Sequence, residues 1–133
     1  MSLTIGPISP FFVVSDLQHS LDFYTKRLGF SVIHLEPADD PFFAIVERGA
    51  VRLLLKFISS DVEPLPNVQL HEWALWDAFV YAKSPEVLAA EAGDSGVSPA
   101  PEVVVRDDGL IGFEVTDPDG YVLFFGKPHD DAG

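Results

Sequence analysis

The chain contains no cysteine, which excludes disulfide bonds, thiolate zinc sites and a cysteine nucleophile. Basic residues are also few, since 8 Lys and Arg stand against 21 Asp and Glu and the formal net charge at pH 7 is −13. Such a charge repels phosphate backbones and anionic lipid surfaces, so we expect neither nucleic acid nor a membrane as a partner. The acidity itself favours either a cation-binding surface or simple solubility.

Long apolar runs and leader-like segments are lacking as well. No stretch approaches the ~18 apolar residues that a membrane-spanning helix needs. The opening MSLTIGPISPFF has no basic segment followed by an apolar one, so we expect no secretory signal and a cytoplasmic location. Hydrophobic residues still make up 47% of the chain, enough for a single domain over residues 1–133 with its own core.

Several catalytic motifs are missing. The sequence has no glycine-rich phosphate loop, no Gly-x-Ser-x-Gly elbow, and no His-x-x-x-His or His-x-Glu spacing that would indicate a metal. Of the four histidines, only His71 lies beside other candidate site residues, Trp73 and Trp76. His71 is interpreted either as a functional group or as a linker residue.

The remaining pattern divides into two similar halves. In the first, Ile8–Val14 is predicted to be a strand, and Ser15 with Gln18 three residues later forms a capping box. Apolar residues then recur at i, i+4, i+7 and i+11, which predicts a helix ending at Gly29. Further strands are predicted at Phe30–Leu35, Phe42–Glu47 and Val51–Phe57.

The second half follows a segment broken by Pro64 and Pro66, which indicates a linker. A strand is predicted over Trp73–Ala82 and a helix from Ser84-Pro85. Three more strands are predicted at Glu102–Arg106, Leu110–Thr116 and Tyr121–Phe125. The sequence therefore predicts an α+β fold: two βαβββ modules, at about 5–58 and 73–128 with a linker at about 59–72, pair into a cupped mixed β-sheet half-barrel around a cleft.

Two stretches carry a resemblance to a known family. FFVVSDLQHSLDFYTKRLGFSV (Phe11–Val32) and GFEVTDPDGYVLFFGKP (Gly112–Pro128) resemble the opening and closing modules of the glyoxalase/bleomycin resistance protein/dioxygenase (vicinal oxygen chelate) superfamily. Both occur in the family's order. The resemblance implies the paired βαβββ fold and a homodimer, and it leaves open whether modules pair within one chain or across the dimer.

The resemblance also implies four metal-ligand positions, and in this chain they fall on Ser9, Leu54, Asp77 and Phe124. Only Asp77 is a carboxylate, whereas an open catalytic site generally keeps about three protein ligands. We therefore expect no metal, no other cofactor and no catalytic residue. A register shift of one residue, which would bring His71 or Glu72 nearer, is the alternative.

The predicted cleft is instead aromatic and acidic. Asp77 and Phe79 are predicted to share a strand face, with Phe11 and Phe124 directed into the same cleft. Glu114 is a candidate base, because an apolar pocket raises the pKa of a carboxyl group. Such a cleft suits a cationic or aromatic ligand. The alternative is that the tryptophans are core or dimer contacts and that Asp77 is exposed at the rim. The predicted ligand-binding residues are Ser9, Phe11, Leu54, Trp73, Trp76, Asp77, Phe79, Glu114 and Phe124.

Three functional hypotheses follow. The first is a metal-free homodimer that sequesters a small molecule, similar to the bleomycin-resistance branch and its role in antibiotic resistance. The alternative is a metal-dependent glyoxalase-like lyase, isomerase or dioxygenase with ligands from outside the family positions. The third is a non-catalytic partner module whose cleft has lost its ligand. Bound metal distinguishes the second from the other two.

Overall fold

The structure, a computed structural model, describes residues 4–129. The strands are β1 (Phe11–Val13), β2 (Ser31–Glu36), β3 (Phe43–Arg48), β4 (Val51–Lys56), β5 (Ala78–Tyr81), β6 (Val104–Val105), β7 (Leu110–Thr116) and β8 (Val122–Pro128). The helices are α1 (Leu17–Asp22), which continues as a π-helical turn over Phe23–Arg27, α2 (Asn67–Leu70) and α3 (Pro85–Asp94), with a 3-10 turn at Glu72–Ala74. Within this part of the chain no helix has the length and apolar character to cross a bilayer.

The strands form two four-stranded sheets of identical topology, in the orders β1-β4-β3-β2 and β5-β8-β7-β6. In each sheet the first and last strands of the module run parallel, and the other pairs are antiparallel. The registers also agree, because Phe11 lies opposite Leu54 and Phe79 lies opposite Phe124. The predicted α+β fold of two βαβββ modules is confirmed, and these two pairs occupy equivalent positions.

Helix α1 covers one face of the first sheet, and its predicted apolar stripe is buried: Leu17, Leu21, Tyr24 and Leu28. The predicted capping box is wrong. Asp16 is the N-cap residue, and its carboxylate accepts a hydrogen bond from the His19 amide at 3.0 Å. Ser15 instead donates from its amide and hydroxyl to the Asp119 carboxylate, at 3.2 and 2.5 Å. The carboxylate of Asp119, which is distant in sequence, therefore takes the place of Gln18 as the partner of Ser15.

The strand predicted over Trp73–Ala82 is shorter than expected. The residues before β5 form the 3-10 turn, and Leu75 has a φ of 62°, which an extended strand does not contain. Asp77 fixes the start of β5, because its Oδ1 accepts a hydrogen bond from the Asn67 amide and its Oδ2 accepts one from the Val122 amide, both at 2.8 Å. Trp73 is therefore outside the alternation of β5.

The two modules pack against each other within the chain around one shared core. The rings of Phe12 and Tyr121 stack across the junction, with centroids 4.3 Å apart and planes at 7°. Nearby, the Tyr24 hydroxyl donates to the buried Asp117 carboxylate at 2.7 Å. Asp117 also accepts from the amides of Asp119 and Tyr121, at 2.9 and 3.0 Å. Helix α1 is thus tied to the β7–β8 turn of the other module.

This junction predicts a pH dependence of stability. Burial raises the pKa of Asp117 from 3.8 to about 6, although the hydrogen bonds from Tyr24 and from two backbone amides lower this pKa. Between these values the folded protein holds a proton that the unfolded chain has released. The free energy of unfolding is therefore expected to fall as the pH rises from about 4 to about 6, by at most about 3 kcal/mol, and this group changes it no further above that window.

Asp117→Asn separates this effect from the general repulsion of an acidic chain. The amide keeps an acceptor oxygen for the two backbone N–H groups and carries no charge, so the variant should lose the decline between about pH 4 and 6. Urea unfolding of both proteins across this window measures it. Parallel profiles for the two proteins would contradict the role given to Asp117.

Candidate functional site

The open face of the second sheet, opposite helix α3, carries four of the nine predicted site residues: Trp76, Phe79, Glu114 and Phe124. Phe79 and Glu114 both lie opposite Phe124 in the strand register, so the three side chains share this face. The Phe124 ring lies over two glycines, because a Cβ atom on either Gly112 or Gly126 would collide with that ring. Glycine at both positions therefore lets the ring lie against the sheet.

Trp76 covers the Phe124 ring. The two rings stack with centroids 4.3 Å apart and planes at 23°, and the indole Nε1 donates to the Glu114 carboxylate at 2.9 Å. Phe79 lies 5.8 Å from the Trp76 ring and 5.5 Å from the Phe124 ring. We call Trp76, Phe79 and Phe124 the aromatic platform. Because Phe124 is fully buried, Trp76 and Phe79 present its surface.

Arg106 also lies against the aromatic platform, and the sequence analysis did not single it out. Its guanidinium carbon lies 4.9 Å from the centroid of Trp76 and 5.9 Å from that of Phe124, within the range of a cation–π contact. Asp108 fixes the group with bonds of 2.9 and 3.0 Å, and the hydrogen bond from Arg106 holds the pKa of Asp108 below its usual value. The antiparallel β6–β7 hairpin was the available signal, since it places Arg106 beside the strand of Glu114.

A groove of about 500 Å³ borders the aromatic platform. Arg106, Glu114 and Phe124 line it on the sheet side, and Glu102 adds a second carboxylate, with the segment 97–101 opposite. Within residues 4–129 neither Glu102 nor Glu114 forms an ion pair, whereas Arg106 pairs with Asp108. The groove combines one ring of the platform, Phe124, with a negative balance of charge.

The open face of the first sheet carries both apolar and charged side chains, because the strand register places Glu47, Arg52 and Lys56 on the same face as Phe43 and Leu54. Phe11 is 53% exposed, and its ring lies 6.2 Å from that of Phe43. His34 contacts the other edge of Phe43 at 6.1 Å, and Leu54 is half-buried in the neighbouring strand. Within residues 4–129 no ring of this face contacts the aromatic platform, so the structure does not bring Phe11 and Leu54 together with Trp76.

Other predicted site residues lie apart from the platform. Trp73 is 81% exposed and contacts His71, whose Nδ1 accepts a hydrogen bond from the Trp73 amide at 3.0 Å. Asp77 does not point into the groove as predicted from alternation, because both of its oxygens accept backbone N–H groups. Ser9 is half-buried ahead of β1. A ligand contact by any of these residues stays a prediction.

The residues at the family's metal-ligand positions do not fit a divalent cation. Leu54 and Phe124 offer no donor atom, and the carboxylate of Asp77 is occupied by two amides. Ser9 contributes only a neutral hydroxyl, a poor ligand for such an ion. Among residues 4–129 no group of three or more His, Cys, Asp or Glu side chains is arranged to hold a metal.

Two βαβββ modules, each with one helix-covered and one open sheet face, define a paired-module α+β protein. The sequence profile of the Glyoxalase/Bleomycin resistance protein/Dioxygenase superfamily matches residues 4–125. The chain therefore belongs to this superfamily, as its two motifs predicted. No curated protein matches the sequence at a significant level.

Solved structures share the fold at low sequence identity. A glyoxalase-related enzyme from Clostridium phytofermentans has a TM-score of 0.71 and 13% identity, over 95% of this chain and 97% of that one. TioX from Micromonospora sp. ML1 has a TM-score of 0.70 and 13% identity, over 91% and 97%. The bleomycin-binding protein of Streptomyces verticillus, complexed with copper(II)-bleomycin, has a TM-score of 0.64 and 22% identity, over 94% and 97%. These likenesses concern the fold alone.

Proposed function

We propose that this protein binds and sequesters a planar, cationic small molecule on the aromatic platform, without a metal and without catalysing a reaction. The observation that carries the proposal is the Trp76–Phe124 stack with the Arg106 guanidinium 4.9 Å from the indole centroid. A planar cation of the protein itself already occupies this face. A ligand of the same chemistry would displace the Arg106 guanidinium from the rings, take over its ring contacts and pair with Glu114 and Glu102.

A metal-dependent glyoxalase-like lyase, isomerase or dioxygenase is the alternative, and it finds less support. It would need ligands from outside the family positions, and His71 and Asp77 are already engaged by backbone amides. By contrast, one structural relative, the bleomycin-binding protein of Streptomyces verticillus, is complexed with copper(II)-bleomycin, which is consistent with a binding role. Sequestration of a toxic compound of this kind would give the protein a role in antibiotic resistance.

We further propose that the protein works in the cytoplasm as a homodimer. The first sheet leaves Phe11 exposed beside the half-buried Phe43 and Leu54, and a second copy laid against this face would remove that apolar surface from water. Light scattering is expected to give twice the mass of the chain. A monomer at concentrations used for binding experiments would contradict this part of the proposal.

Calorimetric titration with proflavine, a planar aromatic cation, tests the binding role. We expect it to bind, and we expect acridine carboxylate, which has the same ring system with a negative charge, to bind about tenfold more weakly or not at all. A chelator in the buffer should change neither result. Equal affinity for the two dyes, or no binding of proflavine, would contradict the proposal.

Glu114→Gln is expected to weaken proflavine binding about threefold to fivefold, because it removes a charge at the solvent-exposed edge of the groove. The amide oxygen can still accept the hydrogen bond from Trp76, so the stack should remain. Glu86→Gln on the exposed side of helix α3 is the matched control. An equal loss in both variants would mean that only the net charge of the chain matters.

A further inference from the structure

A second cavity of about 320 Å³ lies between the two modules, on the helix-covered side of the second sheet. Strand alternation separates it from the aromatic platform, since Phe113 and Phe125 point to the face opposite that of Glu114 and Phe124. The stacked rings of Phe113 and Phe125, 5.2 Å apart, form its apolar wall together with Phe30. The proposed function makes no use of this cavity.

The charges lining this cavity are two arginines, Arg27 and Arg48, and one acid, Glu91. In a chain of 8 basic and 21 acidic residues this is a local positive excess. Arg48 Nη1 donates to the Leu28 carbonyl at 2.8 Å and to the Glu91 carboxylate at 2.6 Å. Arg27 Nη1 donates to the Ser95 carbonyl at 3.0 Å. Both side chains therefore bridge to a defined partner and are held in place.

Each arginine keeps donors for a ligand. Within residues 4–129 neither Nε nor Nη2 of Arg27 or Arg48 donates a hydrogen bond to the protein. The guanidinium groups also lie close over glycine, because a Cβ on Gly29 would be 3.0 Å from Arg48 Nη1 and one on Gly96 would be 2.9 Å from Arg27 Nη1. Such a fixed guanidinium fork matches the two oxygens of a carboxylate.

We propose that this cavity binds an amphipathic monocarboxylate. Its apolar, aromatic body lies between Phe30, Phe113 and Phe125, and its carboxylate pairs with the free donors of Arg48 and Arg27. The volume lies at the lower end of the range of small-molecule sites, ~300–1,000 Å³, and suits a body of one or two fused rings. Burial of the rings supplies affinity, and the guanidinium groups set the preference for a negative charge.

Calorimetric titration with naphthoate tests the proposal, with naphthylmethanol and naphthylmethylammonium as the neutral and cationic analogues. We expect naphthoate to bind more tightly than either analogue. Arg48→Gln should weaken naphthoate binding about tenfold, the size of a lost charge-assisted hydrogen bond. Arg52→Gln is the matched control, because Arg52 lies on β4 outside the cavity and pairs with Glu47 at 2.6 Å.

A second variant addresses the cavity and leaves the Arg48–Glu91 ion pair between the two modules intact. Leu88, half-buried on helix α3, lines the cavity, so Leu88→Trp should fill it and abolish naphthoate binding with both arginines in place. Trp76→Ala should leave naphthoate binding unchanged, which separates this proposal from the one above. No binding by the wild type, a preference for naphthylmethylammonium, or binding that survives Leu88→Trp would overturn the proposal.

Discussion

Phe124→Ala is expected to lower the free energy of unfolding by about 3–5 kcal/mol, the usual cost of removing a fully buried phenylalanine ring. Phe124 is 0% exposed and is packed between the glycines of the sheet and the Trp76 indole. The substitution leaves a cavity that neither side can close by a small movement. Urea unfolding monitored by circular dichroism measures the change.

Phe42→Ala is the matched control for this variant. Phe42 is 46% exposed at the start of the β3 strand region, so the same substitution there should cost about 1 kcal/mol or less. The Phe124 variant should also lose the near-ultraviolet dichroism of the stacked indole. Similar losses of stability in the two variants would contradict the packing described for the aromatic platform.

Trp76→Ala is expected to weaken proflavine binding by about tenfold or more, because aromatic anchors at the centre of a contact contribute most to affinity. The indole supplies both the stacking surface and the hydrogen bond to Glu114. Trp76→Phe, which keeps a ring without the N–H group, should fall between the alanine variant and the wild type. Calorimetric titration of the three proteins gives the order directly.

The chain offers a matched control in its other tryptophan. Trp73 lies three residues earlier, is 81% exposed and contacts His71 rather than the platform. Trp73→Ala should therefore leave proflavine affinity unchanged, and proflavine should quench the fluorescence that remains in this variant, which comes from Trp76. If Trp73→Ala weakened binding as much as Trp76→Ala, the ligand would lie elsewhere.

Sequence patterns predicted the parts of this fold that local physics decides. The apolar stripe of helix α1 and its end at Gly29 follow from helical periodicity and from the φ of +72° that glycine adopts there. The Asp-Pro-Asp-Gly turn between β7 and β8 likewise depends on residues within the turn. Signals of this kind occur in both halves of the chain, and they were enough to predict two βαβββ modules.

Contacts between residues far apart in sequence caused the errors. Ser15 does not cap helix α1, because Asp119, 104 residues away, accepts its hydrogen bonds. The Asp77 side chain does not line the groove, because its carboxylate accepts hydrogen bonds from the amides of Asn67 and Val122. No periodicity encodes a partner at such a separation, and only the folded chain reveals it.

Only part of the candidate site was predicted, because the rest depends on contacts between residues far apart in sequence. Phe79, Glu114 and Phe124 share a face, as their strand positions allow, and Trp76 joins them through a turn that alternation does not describe. Arg106 was missed because its role depends on the β6–β7 pairing that brings it over the indole. Whether these residues contact a ligand stays a prediction.

The central claim of the proposed function is that this protein binds its ligand on the aromatic platform of the second module and holds no metal. Elemental analysis tests it most directly, on protein purified without chelator or histidine tag, before and after incubation with nickel, zinc, iron and manganese followed by buffer exchange. We expect metal far below one ion per chain in every sample, because Ser9, Leu54, Asp77 and Phe124 cannot hold a divalent cation. Near-stoichiometric metal that survives buffer exchange would contradict this account and favour the enzyme hypothesis.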